Sequence, residues 1–289
     1  MKKWLKRIVF GLLILLVVVL GFLHIAMGLF RFSDDKAFKL FEKSGFEGQV
    51  EMLEIEGTQV KVVAQKARST DSILMVFVHG APGSWDAFKN YVVDREIFEK
   101  ARIISYDRPG YGGSSNDAMP GIADQANILN GIIDKYRLNK VVLVGHSYGC
   151  PIAAKAAFQN DLGIEAVVMI APLIDPDNEP LFWYSYFSYW KFTSWLLPGD
   201  LVVAGSEKFA HANELAKMKE DWNKASFPIH HIHGLKDILA PGKENVSFSE
   251  KYIPKDKLLT TIYPDKGHLI IWTEYDLMKG ILLEILKNE

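Results

Sequence analysis

Apolar and polar positions fall into two unlike regimes along the chain. Residues 8–30 read IVFGLLILLVVVLGFLHIAMGLF, 23 positions without a charge. As a helix rising 1.5 Å per residue, this run reaches about 35 Å, enough to cross a bilayer. From about residue 47 onward, short apolar runs alternate with stretches of helical character. The pattern predicts strands over 49–55, 59–66, 73–78, 101–106, 140–144, 165–170, 229–233 and 258–263. Helices are predicted over 84–98, 122–137, 148–159, a group within 180–224, 243–252 and 271–287. Several strand segments, such as ILMVFV and KVVLV, are apolar throughout, as strands buried on both faces are. Such alternation predicts an α/β architecture, a mostly parallel eight-stranded sheet flanked by helices. The rhythm breaks between Ala171 and Phe227, which predicts an insertion over one end of the sheet. The expected organisation is a basic tip and transmembrane anchor over 1–30, a connector over 31–46, a core over 47–171 and 228–289, and a helical cap over 172–227.

Charge sharpens the reading of the N-terminus. The 289 residues carry 33 Lys and Arg against 35 Asp and Glu. Lys2, Lys3, Lys6 and Arg7 precede the apolar run with no acid among the first thirty residues, so the net charge of −2 divides into +4 there and −6 beyond. Arg31 and Lys36 on the far side are offset by Asp34 and Asp35. The positive-inside rule therefore puts the N-terminus in the cytoplasm and the large domain across the membrane, as a single-pass protein. The other reading is a cleaved secretory signal with Ala26-Met27-Gly28 as its small-x-small site, although a signal's apolar core usually has only about 7 to 15 residues. His24 is expected at the interface. Without a basic cluster elsewhere, nucleic acid is not an expected partner. An apolar share of 49 % argues against disorder, and a lone cysteine, Cys150, excludes an internal disulfide and a multi-cysteine zinc site.

The chemistry gathers at strand ends. Gly145-His146-Ser147-Tyr148-Gly149 lies between KVVLV and a helical stretch beginning PIAAKAAF, the G-x-S-x-G pattern in its strand-turn-helix context. Glycines are needed because a side chain on either side of the strained serine turn would collide with neighbouring backbone. Asp237 follows the strand IHHI within HGLKD, and His268 follows LLTTIY. Upstream, His79-Gly80-Ala81-Pro82-Gly83 follows ILMVFV, where Ala81 has a backbone NH to offer an oxyanion and Pro82 has none.

The motifs HGAPGS, DRPGYGGS at 107–114, GHSYG, HGLKD and GH, in this order, resemble those of the α/β-hydrolase superfamily over roughly residues 47–289. They are similar to the branch of proline iminopeptidases, carbon-carbon bond hydrolases, epoxide hydrolases and haloalkane dehalogenases. The last two use an aspartate nucleophile, and Ser147 stands at that position here. The resemblance implies an α/β-hydrolase fold with a cap and a serine hydrolase mechanism without a cofactor. Ser147 would be the nucleophile, His268 the general base, Asp237 its orienting acid, and the NH groups of Ala81 and Tyr148 the oxyanion donors. An esterase or lipase acting on an apolar ester is the expected activity, with an aminopeptidase of the iminopeptidase kind or a hydrolase-fold binding protein as alternatives. Cys150 departs from the family, where glycine is frequent.

Other residues compete for attention. Asp175 also follows a strand and is the second candidate for the acid, whereas Asp107 reads as a turn residue. His230, His231 and His233 lack an acidic cluster in sequence, so no metal is expected. His79 is expected to support the oxyanion loop, and Asn245-Val246-Ser247 is a sequon by chance. Nine of the fourteen residues from Phe182 to Trp195 are aromatic, including Tyr184, Trp183, Phe187 and Trp190. Some of these rings are expected to stabilise the cap and others, with Trp183, Phe187 and Trp190 named as candidates, to line an apolar acyl site or meet the membrane headgroups.

Overall fold

A computed structural model describes residues 2–30, 33–69, 71–160, 163–183 and 185–288. Arg31 and Tyr184 lie outside these. Eight strands form one sheet: β1 (Gly48–Ile55), β2 (Thr58–Gln65), β3 (Ile73–Val78), β4 (Arg102–Tyr106), β5 (Lys140–His146), β6 (Ile164–Ile170), β7 (Ile229–Gly234) and β8 (Leu258–Tyr263). Their spatial order is β1-β2-β4-β3-β5-β6-β7-β8. The β1–β2 hairpin turns through Glu56 and Gly57, both at positive φ (51° and 76°), as a two-residue hairpin requires. β2 pairs antiparallel with β4, and every pairing from β4 to β8 is parallel. The result is the α/β-hydrolase fold.

Seven helices exceed ten residues: α1 (Lys2–Phe30), α2 (Asp34–Ser44), α3 (Ile122–Tyr136), α4 (Gly149–Gln159), α5 (Gly199–Lys217), α6 (Gly242–Tyr252) and α7 (Tyr275–Asn288). The period-two geometry of a strand feeds two cores. Leu74, Val76 and Val78 of β3 pack with Leu129 and Ile132 of α3 and Ile152 of α4. Met75 and Phe77 face the other side, with Phe41 of α2, Phe88, and Met278 and Leu282 of α7. The sheet is thereby covered on both faces, which leaves the carboxyl ends of β3, β5, β7 and β8 as the place where loops can converge.

The predicted helix over 84–98 resolves into three short pieces, Trp85–Phe88, Lys89–Val92 and Arg95–Phe98. Asp94 starts the last by accepting a hydrogen bond from Ile97 N at 3.0 Å. Residues 31–46, expected only to connect, contain α2, capped by Ser33 and ended by Gly45 in the left-handed region (φ 73°). Only Ala37 and Phe41 of this helix are buried, so its apolar periodicity is faint. The predicted helix over 271–287 breaks at Glu274, between Ile270–Thr273 and α7.

None of the 3–26 stretch of α1 is buried against the rest of the chain, and it is long and apolar enough to span a membrane, a test that a signal sequence also passes. Its His24 Nε2 lies 2.9 Å from the carbonyl of Leu196, in the segment between β6 and β7. That segment is helical in pieces, Ser185–Tyr189, Lys191–Ser194 and α5, followed by a 3-10 stretch at Lys219–Lys224. Several of its aromatic rings pack on one another: Tyr189 on Phe209 at 4.3 Å, Trp190 on Phe192 at 5.4 Å, and Trp183 edge-on to Phe187 at 5.8 Å.

Candidate active site

Ser147 ends β5 at φ 53°, a left-handed backbone that an L-residue adopts only under constraint. Ser147 N donates to the carbonyl of Ile170 on β6 at 3.0 Å, and Cys150 N donates back to the carbonyl of Ser147 at 3.0 Å. The turn is this tight because its flanks are glycines. A Cβ on Gly145 would lie 2.6 Å from Cys150 Cα, and one on Gly149 would lie 2.2 Å from the carbonyl oxygen of Val78. The serine thus stands at the first turn of α4, where helical NH groups favour negative charge.

Asp237 and His268 come together from the loops after β7 and β8. His268 Nδ1 donates to Asp237 Oδ2 at 2.7 Å. Asp237 Oδ1 accepts from Leu239 N (2.9 Å) and Ala240 N (2.8 Å), and Oδ2 also faces His233 Nε2 at 3.3 Å. Burial alone would raise the Asp237 pKa, but the hydrogen bonds from His233 and His268 outweigh it and hold the carboxyl well below its ordinary range. Among the described residues no hydrogen bond joins the Ser147 hydroxyl to His268.

Two of the three histidines of the HHIH stretch, His231 and His233, lead to this carboxylate. His233 Nε2 also donates to the carbonyl of Ala240 at 2.9 Å, so its Nδ1 accepts from His231 Nε2 at 2.9 Å, and His231 Nδ1 accepts from Ser249 Oγ at 2.7 Å. Burial, reinforced by His233, pushes the His231 pKa well down and keeps that imidazole neutral. Sequence reasoning did not anticipate this relay. Its signal was the spacing of His231, His233 and Asp237 on one strand and the turn after it.

His146 is a second unanticipated neighbour. Its ring lies 4.9 Å from that of His268 and 4.8 Å from that of Trp272, and its Nε2 donates to the carbonyl of His268 at 3.1 Å. Burial, with the nearby His268, lowers its pKa to about 3, so it supports the His268 loop as a neutral donor.

Of the oxyanion candidates, Tyr148 directly follows Ser147 and Ala81 directly follows Gly80. A Cβ on Gly80 would stand 3.2 Å from Ser147 Cβ, which places the loop before Ala81 directly against Ser147. His79 supports this loop: its Nδ1 donates to the carbonyl of Gly80 (2.7 Å) and its Nε2 accepts from Arg108 N (3.0 Å). Arg108 continues the support, donating from Nε to the carbonyl of His79 (3.0 Å) and from Nη2 to that of Gly80 (2.9 Å). Its guanidinium forms a fully buried, two-pronged pair with Glu207 of α5, with Nη1 on Oε1 and Nη2 on Oε2 at 3.1 Å. Gln125 and Tyr111 complete the shell of this pair. Burial opposes the charge on Arg108, but Glu207 more than compensates and raises its pKa.

The remaining candidates take structural places. Asp175 caps the turn at Pro176–Asn178 through Asp177 N (3.0 Å) and Asn178 Nδ2 (2.8 Å). Asp107 accepts from Trp85 N (2.7 Å) and Gly113 N (2.8 Å). Cys150 is fully buried, and burial pushes its thiol pKa well up, away from the thiolate form. Trp183, Phe187 and Trp190 lie on the outer surface of the insertion with much of each ring exposed. A cleft of about 400 Å³ between the β6–β7 segment and the 110–118 loop is lined by Gly110, Ala118, Trp195, Leu197 and Val203 rather than by those three rings. Exposed Ile238, Leu239, Leu269 and Trp272 flank Asp237 and His268.

Comparison with known proteins places this geometry in a lineage. A family model described as alpha/beta hydrolase fold matches residues 73–196. Epoxide hydrolase B of Mycobacterium tuberculosis is 28% identical over 105 residues, 35% of this chain and 29% of that protein. The chain matches about a third of the length of the curated relatives that resemble it. Among solved structures, an esterase from Exiguobacterium antarcticum is 19% identical with a TM-score of 0.64, covering 83% of this chain and 100% of that one. A membrane phospholipase A described as a bacterial virulence factor is 16% identical with a TM-score of 0.64, covering 98% of this chain and 100% of that one. The chain has the α/β-hydrolase fold, with an eight-stranded sheet and a serine turn after β5, and its residues 73–196 match the family model.

Proposed function

We propose that this protein is a serine hydrolase of the esterase or lipase type, acting on an apolar carboxylic ester and held at a membrane by α1. The observation that carries the reading is Ser147 in its left-handed turn at the end of β5, on the same edge of the sheet as the hydrogen-bonded Asp237–His268 pair. In this mechanism Ser147 Oγ attacks the ester carbonyl while His268 Nε2 takes its proton. His268 then protonates the departing alcohol, and Asp237 holds the imidazole in the required tautomer. The NH groups of Ala81 and Tyr148 receive the oxyanion, and water releases the acid from the acyl-enzyme.

Apolar side chains around the acid and base favour an apolar ester. An aminopeptidase would need a free carboxylate in the cap to hold the substrate amine, and the buried candidates are already engaged. Glu207 is paired with Arg108, Glu179 with Lys208, and Glu214 with Lys217 and Ile122 N, while Glu220 is exposed on the surface. The epoxide hydrolase and dehalogenase activities of the branch are disfavoured by Ser147 in place of an aspartate.

The insertion over 172–227 acts as the cap in this proposal, on a core made of 47–171 and 228–289. An uncleaved anchor is favoured by the length of the apolar run, and the contact between His24 and Leu196 supports a cap whose exposed rings meet the membrane surface. The catalytic domain then lies outside the cytoplasm.

A panel of p-nitrophenyl esters of increasing acyl length, with aminoacyl amides alongside, tests the reading on the full chain and on Ser147→Ala. Ester turnover that rises with chain length and falls by several orders of magnitude in a folded Ser147→Ala supports it. Preference for aminoacyl amides would establish the peptidase alternative, a strict preference for acetyl esters would contradict an apolar acyl site, and full activity in Ser147→Ala would remove the serine mechanism.

A further inference from the structure

Two residues one helical turn apart on α5, Glu207 and His211, reach into the core, His211 onto Tyr148 itself and Glu207 onto Arg108, which leads to the loop before Ala81. Glu207 grips the Arg108 guanidinium, and Arg108 in turn holds the carbonyls of His79 and Gly80, the two residues just before Ala81. His211 stacks on the ring of Tyr148, with centroids 4.3 Å apart and planes 29° apart. The Arg108 guanidinium lies 4.9 Å from the centre of the same Tyr148 ring. Arg108, Glu207 and His211 are fully buried and Tyr148 nearly so, so solvent does not soften these contacts. Behind His211, Glu179 Oε2 stands 3.1 Å from Nδ1, and Lys208 pairs with the same carboxylate.

We infer that the Glu207–His211 face of α5 is a positioning device, through which the placement of the insertion sets the geometry of the oxyanion site. The inference rests on the proposed serine mechanism and on Ala81 and Tyr148 as its donors. Each donor segment has its own brace from one helix: Arg108 carries Glu207 to the loop before Ala81, and His211 bears directly on Tyr148. A shift of α5 would therefore move both donors together. Oxyanion donors act only within about 2.7–3.1 Å of the charge they stabilise, and displacement by about 1 Å can cost about 100-fold in rate. Glu207 and His211 are expected to govern turnover far more than substrate binding, because the oxyanion exists only in the reacting complex.

A buried Arg–Glu pair also supports folding, and removing one partner of such a pair is often strongly destabilising. The test therefore reads a quantity that a purely structural role does not move. Full-length Glu207→Gln, His211→Ala and His211→Phe are compared with the unmodified chain for kcat and KM on a p-nitrophenyl ester. Their inhibition constants for a trifluoromethyl ketone, which forms a tetrahedral oxyanion on the serine, are measured alongside. Glu207→Gln and His211→Ala are expected to lower kcat by about 10- to 100-fold and to raise the ketone inhibition constant by the same factor. KM should stay within about 2-fold, and His211→Phe, which keeps a ring on Tyr148, should recover most of the loss. Unchanged kcat and ketone affinity in folded variants would overturn the inference, as would a loss confined to KM or a His211→Phe no better than His211→Ala. If Glu207→Gln does not fold, the two His211 variants decide. Failure of the parent mechanism would look different: the ketone would not inhibit the unmodified chain, or Ser147→Ala would remain active.

Discussion

His268 donates from Nδ1 to Asp237 Oδ2 across 2.7 Å, and His233 approaches the same oxygen at 3.3 Å. With two backbone NH groups on Oδ1, this carboxylate is surrounded by donors on every side. It stays ionised, and it fixes His268 as the tautomer whose Nε2 lone pair is available to Ser147. Asp237→Asn would present an amide that donates a proton where the imidazole must donate, turning His268 to the wrong tautomer. Ester turnover is expected to fall by about 10⁴-fold with KM little changed. Steady-state kinetics with a thermal melt check this, and a loss below about 10-fold would assign the acid elsewhere, with Asp175 the next candidate.

The serine turn leaves no room for a methyl group. Gly145→Ala and Gly149→Ala each drive a Cβ into backbone that cannot move aside, at 2.6 Å from Cys150 Cα and 2.2 Å from the Val78 carbonyl oxygen. Gly280→Ala in α7 meets nothing within 4 Å and gains helix propensity. Thermal melts should show both turn variants losing several degrees or failing to fold, and Gly280→Ala equal to or above the unmodified chain. Equal melting temperatures for Gly145→Ala and the unmodified chain would contradict the turn geometry.

Acid should weaken the fold through its buried imidazoles. Burial lowers the pKa values of His79, His146 and His231 from the ordinary 6.5, with further lowering from Arg108, His268 and His233 respectively, and His146 reaches about 3. Below about pH 6.5 the unfolded chain takes up protons that the folded chain refuses, so stability falls as pH falls toward 4. Asp107 works the other way. Burial pushes its pKa up to about 6 against the hydrogen bonds from Gly113 and Trp85, so its contribution is present below its unfolded value and lost as pH rises through 6. Three imidazoles outweigh one carboxyl. Thermal unfolding followed by circular dichroism from pH 7.5 to 4.5 should give a Tm that declines below about pH 6.5, and a Tm that rises on acidification would contradict neutral burial of these histidines.

The strands were legible because each buried run of β3, β5 and β6 is apolar on both faces, a signal that needs no knowledge of its partners. The placement of Ser147, Asp237 and His268 just after strands was legible because each sits in a short motif that follows an apolar run. The helix α2 was not, since a charged segment with two buried residues carries little periodicity. The supports of the site were hidden for a different reason. Glu207 and Arg108 are 99 positions apart, and His146 and His268 are 122 apart, so only the fold reveals that they meet. Glu207 reads in sequence as a surface glutamate and is found fully buried.

The most direct test of the central claim is labelling of the full chain with a fluorophosphonate, followed by peptide mapping. The account predicts one adduct, on Ser147, formed in step with loss of ester hydrolysis and absent in Ser147→Ala. Labelling of another residue, or full hydrolysis after stoichiometric modification of Ser147, would contradict it.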